Sequence, residues 1–195
     1  MRLILTRHGE TEENKAGIMQ GWLPGKLTKL GQKQAQQLAQ RLKWLKIDLI
    51  YTSDLARCVD TAKEIAKFHT NTKIIEEKRL REMDHGELTG RKKGEVEWNP
   101  PPGKKFTDRF LGGESYEDVL IRVKKFYHNL LKDNSDKTVV IVTHGGVLML
   151  LHSLIKGTSI EESLKYKQKN TGVSEYQIDS KRKYKEICFN CEKHL

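Results

Sequence analysis

Two histidines occur in matched local settings. One lies in Thr6-Arg7-His8-Gly9-Glu10-Thr11, directly behind the run that ends at Leu5; the other lies in Thr143-His144-Gly145-Gly146, behind the apolar run 139–142. Each is a strand-like segment that ends on an imidazole followed by glycine. A fixed cation, an imidazole and a flexible turn delivered to one point can hold a phosphoryl group while a ring nitrogen attacks it. Two strands of one sheet can bring both imidazoles to the same edge, so the pair points to phosphoryl transfer more strongly than either motif alone.

Four further segments supply what two imidazoles lack. Arg57, in Ser53-Asp54-Leu55-Ala56-Arg57, stands at the start of a helix and can grip phosphate oxygens bidentately. Asn14, in the loop after Arg7, can donate an amide hydrogen or cap a turn, and Glu10 can face the site or solvent. Glu82 offers a carboxyl group for proton transfer, with Asp84 and Glu87 on the same loop as rivals for that role. Gly145 and Gly146 open a helix whose unpaired amides and positive end favour an anion. His85 has no assigned chemistry. Cys188, Cys191 and His194 have ligand-like spacing, but a structural zinc site normally takes four protein ligands, so no metal is assigned.

The elements that must position these groups alternate. Strands are expected at 3–6, 48–52, 73–75 and 138–142, the last β-branched and covered on both faces. Between them, apolar residues recur at helical spacing from the N-cap Thr28 through Leu45, over 54–68, and from the capping box Ser115/Asp118 to about 132. Residues 147–155 are apolar nearly all round, as in a buried helix, and 173–178 with 184–189 read as a closing strand pair. The alternation predicts an α/β fold of three layers, a mostly parallel central sheet with helices on both faces, and a site at the carboxyl ends of its strands. Residues 91–112, basic and interrupted by Pro100-Pro101-Pro102-Gly103, read as a lid-like excursion.

A chain of 195 residues can bury one core and is too short for two ordinary domains, so a single domain over 1–195 is expected. No apolar stretch reaches the roughly 20 residues that span a bilayer, and the first residues are too short for a secretion signal. Three cysteines make no disulfide framework, which fits a reducing compartment; the cytoplasm is the expected location. The net charge of +10 suits anionic partners of any size, and its spread along the chain argues against a dedicated nucleic-acid surface.

With these residues in view, the chain resembles the histidine phosphatase superfamily, in its phosphoglycerate mutase-like branch. Arg7-His8-Gly9-Glu10-Thr11, Asn14, the Gly21 to Gly31 stretch, Ser53 with Arg57 and Thr61-Ala62, Glu82 with Gly86 and Gly90, Gly112-Gly113-Glu114-Ser115, Thr143-His144-Gly145 and Asn170-Thr171 occur in the family's order. The resemblance implies a phosphoglycerate mutase-like fold. It implies that His8 is the nucleophile, that Arg7, Arg57 and a protonated His144 bind the phosphoryl oxygens, and that Glu82 is the proton donor. Asn14, Gly21 and Gly145 would complete the substrate site, with no cofactor and no metal. Residues 23–26 depart from the family pattern, and the excursion is short and without the arginine pair of the mutases, which favours hydrolysis. The expected function is a phosphomonoesterase acting on a small phosphorylated metabolite, without nucleic acid or membrane. A phosphoglycerate mutase and a non-catalytic phosphate- or nucleic-acid-binding module are the alternatives, and the oligomeric state is open, a homodimer included.

Overall fold

The structure, a computed structural model, describes residues 1–95 and 106–195. Its strands are β1 (Arg2–Arg7), β2 (Leu49–Thr52), β3 (Lys73–Glu76), β4 (Thr138–Thr143), β5 (Val173–Ile178) and β6 (Tyr184–Cys191), joined in one sheet of order β3-β2-β4-β1-β5-β6. The first four run parallel, and β5 is antiparallel to both β1 and β6. The expected strands are all present. The described helices are α1 (Glu12–Lys15), α2 (Lys29–Leu42), α3 (Ala56–Ala66), α4 (Tyr116–Asp133), α5 (Gly145–Lys156) and α6 (Ile160–Ser163), with short 3₁₀ turns between them.

The two-residue period of a strand divides the core. Leu3 and Leu5 face one side with Val139, Ile141 and Tyr176, under α4 and α5; Ile4 faces the other with Ile50, Val140 and Val142, under α2 and α3. Three layers follow, because each helix buries one apolar stripe against one face of the sheet. Helix starts sit where the caps predict: Thr28 accepts from Gly31 N, and Ser115 and Asp118 cap α4 reciprocally. The four-residue α1 and α6 carry their own capping boxes, Thr11/Asn14 and Ser159/Glu162, but are too short to show a period in sequence.

Helix α5 is buried nearly all round, including Val147, Leu148, Leu150, Leu151 and Ile155. Each such side chain contributes about 1.5–3 kcal/mol, so its amino end is held firmly against the sheet. Parallel register then does the positioning. Arg7 pairs with Thr143 and Thr52 with Val142, so the residues that follow, His8, His144 and Ser53, emerge side by side at one edge.

Of the excursion at 91–112, residues 96–105, including Pro100 to Gly103, Lys104 and Lys105, lie outside the described residues. Its first part is pinned to the loop after α1 by Met19 N to Arg91 O at 2.9 Å and Lys93 N to Gly17 O at 2.9 Å. Arg109 donates to Asp118 at 2.6 Å, tying the far end to the start of α4. Among the described residues no helix is long and apolar enough to cross a membrane.

Candidate active site

The neighbouring ends of β1 and β4 bring the rings of His8 and His144 to a centroid separation of 5.2 Å, tilted by 60°. His8 Nδ1 lies 2.8 Å from Gly9 O. A carbonyl only accepts, so Nδ1 carries the proton and Nε2 keeps its lone pair. His8 is 2% exposed. Burial first, then the Arg57 and Arg7 guanidinia, hold its imidazole well below the ordinary histidine range. Burial and the two guanidinia thus favour the neutral ring.

His144, expected as a cation around the phosphoryl oxygens, has both ring nitrogens on protein groups. Arg57 Nε donates to its Nδ1 at 3.2 Å, so Nε2 bears the proton and faces Ser53 Oγ at 2.9 Å, with Cys58 Sγ at 3.4 Å. The ring has no exposure to solvent, and burial, Arg57, His8 and Arg7 all disfavour its cation. Both nitrogens are engaged with protein groups, and the ring packs behind His8, off the wall of the cavity described below.

The two arginines are held differently. Arg57, 1% exposed, directs Nη1 at Leu23 O and Pro24 O and Nη2 at Gly21 O, the last at 3.0 Å. With Nε on His144, one Nη2 N–H is left for a ligand. Within the 23–26 segment that departs from the family pattern, Leu23 and Pro24 supply two of the acceptors that fix this guanidinium. Arg7 makes one long bond to Gln168 O at 3.5 Å, and its Nε is buried with no hydrogen bond in the protein. A cation with a buried, unpaired donor is a ready site for an oxyanion.

Glu82 follows β3 on a loop and projects at the amino end of α5. Its Oε2 accepts from Gly146 N at 3.3 Å and its Oε1 from Met83 N at 3.1 Å. A Cβ at position 146 would stand 2.5 Å from Glu82 Oε1, so this glycine lets the carboxylate in. Asp84 turns away to accept from Gly86 N at 2.9 Å, and neither Asp84 nor Glu87 lines the cavity, which separates Glu82 from its rivals. Asn14 caps α1, with Oδ1 accepting from Thr11 N and from Asn170 Nδ2 at 3.3 Å each, while also lining the cavity. Glu10 is a structural link, its carboxylate accepting from Thr28 Oγ1 at 2.8 Å.

Arg7, His8, Asn14, Gly21, Arg57, Glu82 and Gly145 all line one cavity of about 320 Å³, enough for a small metabolite. Lys93, from the basic excursion expected to cover the site, also lines this cavity, while sequence reasoning missed Lys167 and Gln168. His85 is also a wall residue, packed edge-on against Phe110 at 5.8 Å. Among the described residues no cluster could hold a metal ion. At the Cys191/His194 pair a cation of the chain's own is present instead: Arg41 Nη1 lies 3.3 Å from Cys191 Sγ and 3.0 Å from His194 Nδ1.

Residues 3–190 match the family model of the histidine phosphatase superfamily, branch 1. The chain is 35% identical over 188 residues to phosphoserine phosphatase 1 of Hydrogenobacter thermophilus, covering 93% of this chain and 89% of that protein. It is 32% identical to a 2,3-bisphosphoglycerate-dependent phosphoglycerate mutase of Brucella anthropi, with 88% of each covered. Among solved structures, a putative alpha-ribazole-5'-P phosphatase from Escherichia coli superposes with a TM-score of 0.89 at 26% identity over 97% of this chain and 96% of that one. The native mycobacterial glucosyl-3-phosphoglycerate phosphatase gives 0.85 at 26% identity over 98% and 99%. With its three-layer fold, its paired imidazoles and these matches, the chain is an enzyme of the histidine phosphatase superfamily, branch 1.

Proposed function

We propose that the chain, as one catalytic domain over 1–195, hydrolyses a small phosphomonoester through a phosphohistidine on His8. The observation that carries this reading is the orientation of His8: Nδ1 is turned onto Gly9 O at 2.8 Å, which leaves Nε2 for phosphorus, beside a buried Arg7 Nε that lacks a partner. In the first step Nε2 attacks phosphorus, the N–P bond forms and the P–O bond to the leaving group breaks. The Glu82 carboxyl group gives its proton to the departing oxygen. In the second step the Glu82 carboxylate takes a proton from water as that water's oxygen bonds to phosphorus. The N–P bond breaks, its electron pair returns to Nε2, and inorganic phosphate leaves.

Arg7 and Arg57 are the fixed cations for the equatorial oxygens, worth about 3–4 kcal/mol per donor when preorganised in a water-poor site. His144 braces Arg57 and the back of His8, and it gains positive charge only against a dianion that offsets the two arginines. Gly145 and Gly146 add main-chain donors at the start of α5, and Asn14 and Gly21 complete the wall.

Arg7, Arg57, Lys93 and Lys167 against Glu82 give the cavity a cationic lining that suits a substrate with a second negative group. The names of the relatives, phosphoserine phosphatase and phosphoglycerate mutase, agree with that chemistry. A cytoplasmic setting fits three free cysteines. The test is turnover of an aryl phosphate by the wild type and by His8→Ala. Release of inorganic phosphate that requires His8 supports the proposal, and equal release by both proteins refutes it. The mutase at 32% identity keeps a second reading in view; exchange of phosphate between the two hydroxyl positions of phosphoglycerate, without net release, would select it.

A further inference from the structure

Arg122 lies in α4, away from the cavity, yet every N–H of its guanidinium is used. Nε donates to Glu114 Oε1 at 2.8 Å and Nη2 to Glu114 Oε2 at 2.9 Å. The remaining donors take three successive targets on the loop that carries the proposed acid: Arg79 O at 2.8 Å, Arg81 O at 2.7 Å and Glu82 O at 3.0 Å. Glu114 completes the clamp on the far side, with Oε2 accepting from Asp84 N at 3.0 Å and its own amide donating to Asp84 O at 2.9 Å. Both side chains are largely buried, at 16% and 19% exposure.

We infer that Arg122 and Glu114 are positioning residues that hold the Glu82 carboxyl group at the distance proton transfer requires. This rests on the reading of Glu82 as general acid. The root of Arg122 is rigid because α4 buries Val119, Val123 and Phe126 on the turns beside it. The planar five-donor fork is the property in use, since a lysine ammonium has three donors on one atom and cannot span Glu114 and three carbonyls. Trp22 Nε1 also donates to Glu82 O, at 2.8 Å, but it sits on a partly exposed ring and touches only that one carbonyl. A bonded pair that merely satisfied buried carbonyls would affect stability alone. One that sets the acid also affects how the rate depends on the leaving group.

The experiment measures kcat/KM for Glu82→Gln, Arg122→Lys and Glu114→Gln on an alkyl phosphate, whose departing alkoxide needs a proton, and on dinitrophenyl phosphate, whose phenolate does not. Melting temperatures are recorded alongside. General acid catalysis contributes about 10²–10⁴-fold, and a misplacement near 1 Å removes on the order of 10². Arg122→Lys is expected to lose on the order of 10²-fold on the alkyl ester and under about tenfold on the dinitrophenyl ester, with no further loss on the alkyl ester when combined with Glu82→Gln. Glu114→Gln is expected to show the same selectivity at about a tenth of the size, and it carries the test alone if Arg122→Lys does not fold. Equal losses on both esters, or none, while Glu82→Gln remains leaving-group selective, would overturn the inference. If Glu82→Gln itself discriminates nothing, the general-acid reading fails first, and with it the role given to Arg122.

Discussion

Gly9 and Gly31 meet back to back where the loop after β1 crosses the start of α2. A Cβ on Gly9 would stand 2.4 Å from Gly31 O, and one on Gly31 would stand 2.0 Å from Glu10 O. Ordinary contact begins at 3.4 Å, so alanine requires the backbones to separate by about 1.0 Å in the first case and about 1.4 Å in the second. Neither neighbour is a flexible side chain, and the loop is already pinned by Thr28 N to Glu10 O at 3.0 Å and Gly9 N to Thr61 Oγ1 at 3.1 Å. The displacement therefore passes to His8, one residue away. A shift of that size costs on the order of 10² in rate, and overpacking costs about 1–3 kcal/mol of stability. Gly157→Ala is the control. That residue ends α5 at φ 68° with nothing within 4 Å, so alanine there costs about 1–2 kcal/mol of left-handed strain and leaves kcat unchanged. Aryl phosphate turnover and thermal melts on the three variants separate the effects. Gly9→Ala and Gly31→Ala enzymes that melt lower than wild type but turn over normally would refute the claim that this close approach sets His8.

Other outcomes follow from the same geometry. Arg57→Lys leaves the carbonyls of Gly21 and Leu23 without their donors, so it should cost about 1–3 kcal/mol in a melt and about 10²–10³ in kcat. His152, bonded to Tyr176 Oη at 2.8 Å and Gln168 Oε1 at 3.0 Å, is pushed down to about 4 mainly by burial. Because its folded value lies below the unfolded 6.5, the unfolded chain binds more protons across that window, and stability falls as pH drops from 6.5 towards 4. The loss is at most about 1.4 kcal/mol per pH unit, and His152→Gln should flatten that part of a urea-titrated stability curve. Lys93→Ala should raise KM about threefold for a phosphomonoester bearing a carboxylate and leave KM for a plain aryl phosphate unchanged, the size expected of one solvent-accessible charge pair.

Much of this was legible in the sequence because it rests on local signals. The β-branched run before His144, the caps at Thr28 and Ser115 and the two-residue period of β1 each fix an element on their own. Parallel register then brings His8, Ser53 and His144 together. The hydrogen-bond partners of His144 were not legible, since Arg57 Nε reaching its Nδ1 and the complete burial of the ring are tertiary facts. Nor was the partial occupation of Arg57 by the carbonyls of residues 21–24, because main-chain acceptors carry no side-chain signature. Arg122 did leave a trace: it lies three residues after Val119 and four before Phe126, a cation on the apolar stripe of α4. A charge at that spacing needs a buried partner, and the Glu114 carboxylate with three loop carbonyls is what it finds.

The most direct test is to trap the enzyme during turnover of a radiolabelled phosphomonoester by quenching in base, then locate the label by peptide mapping. A phosphohistidine mechanism requires an acid-labile, base-stable phosphoryl group on the peptide that contains His8, absent in His8→Asn. Turnover with no such label, or label on Ser53 or another residue, would contradict it.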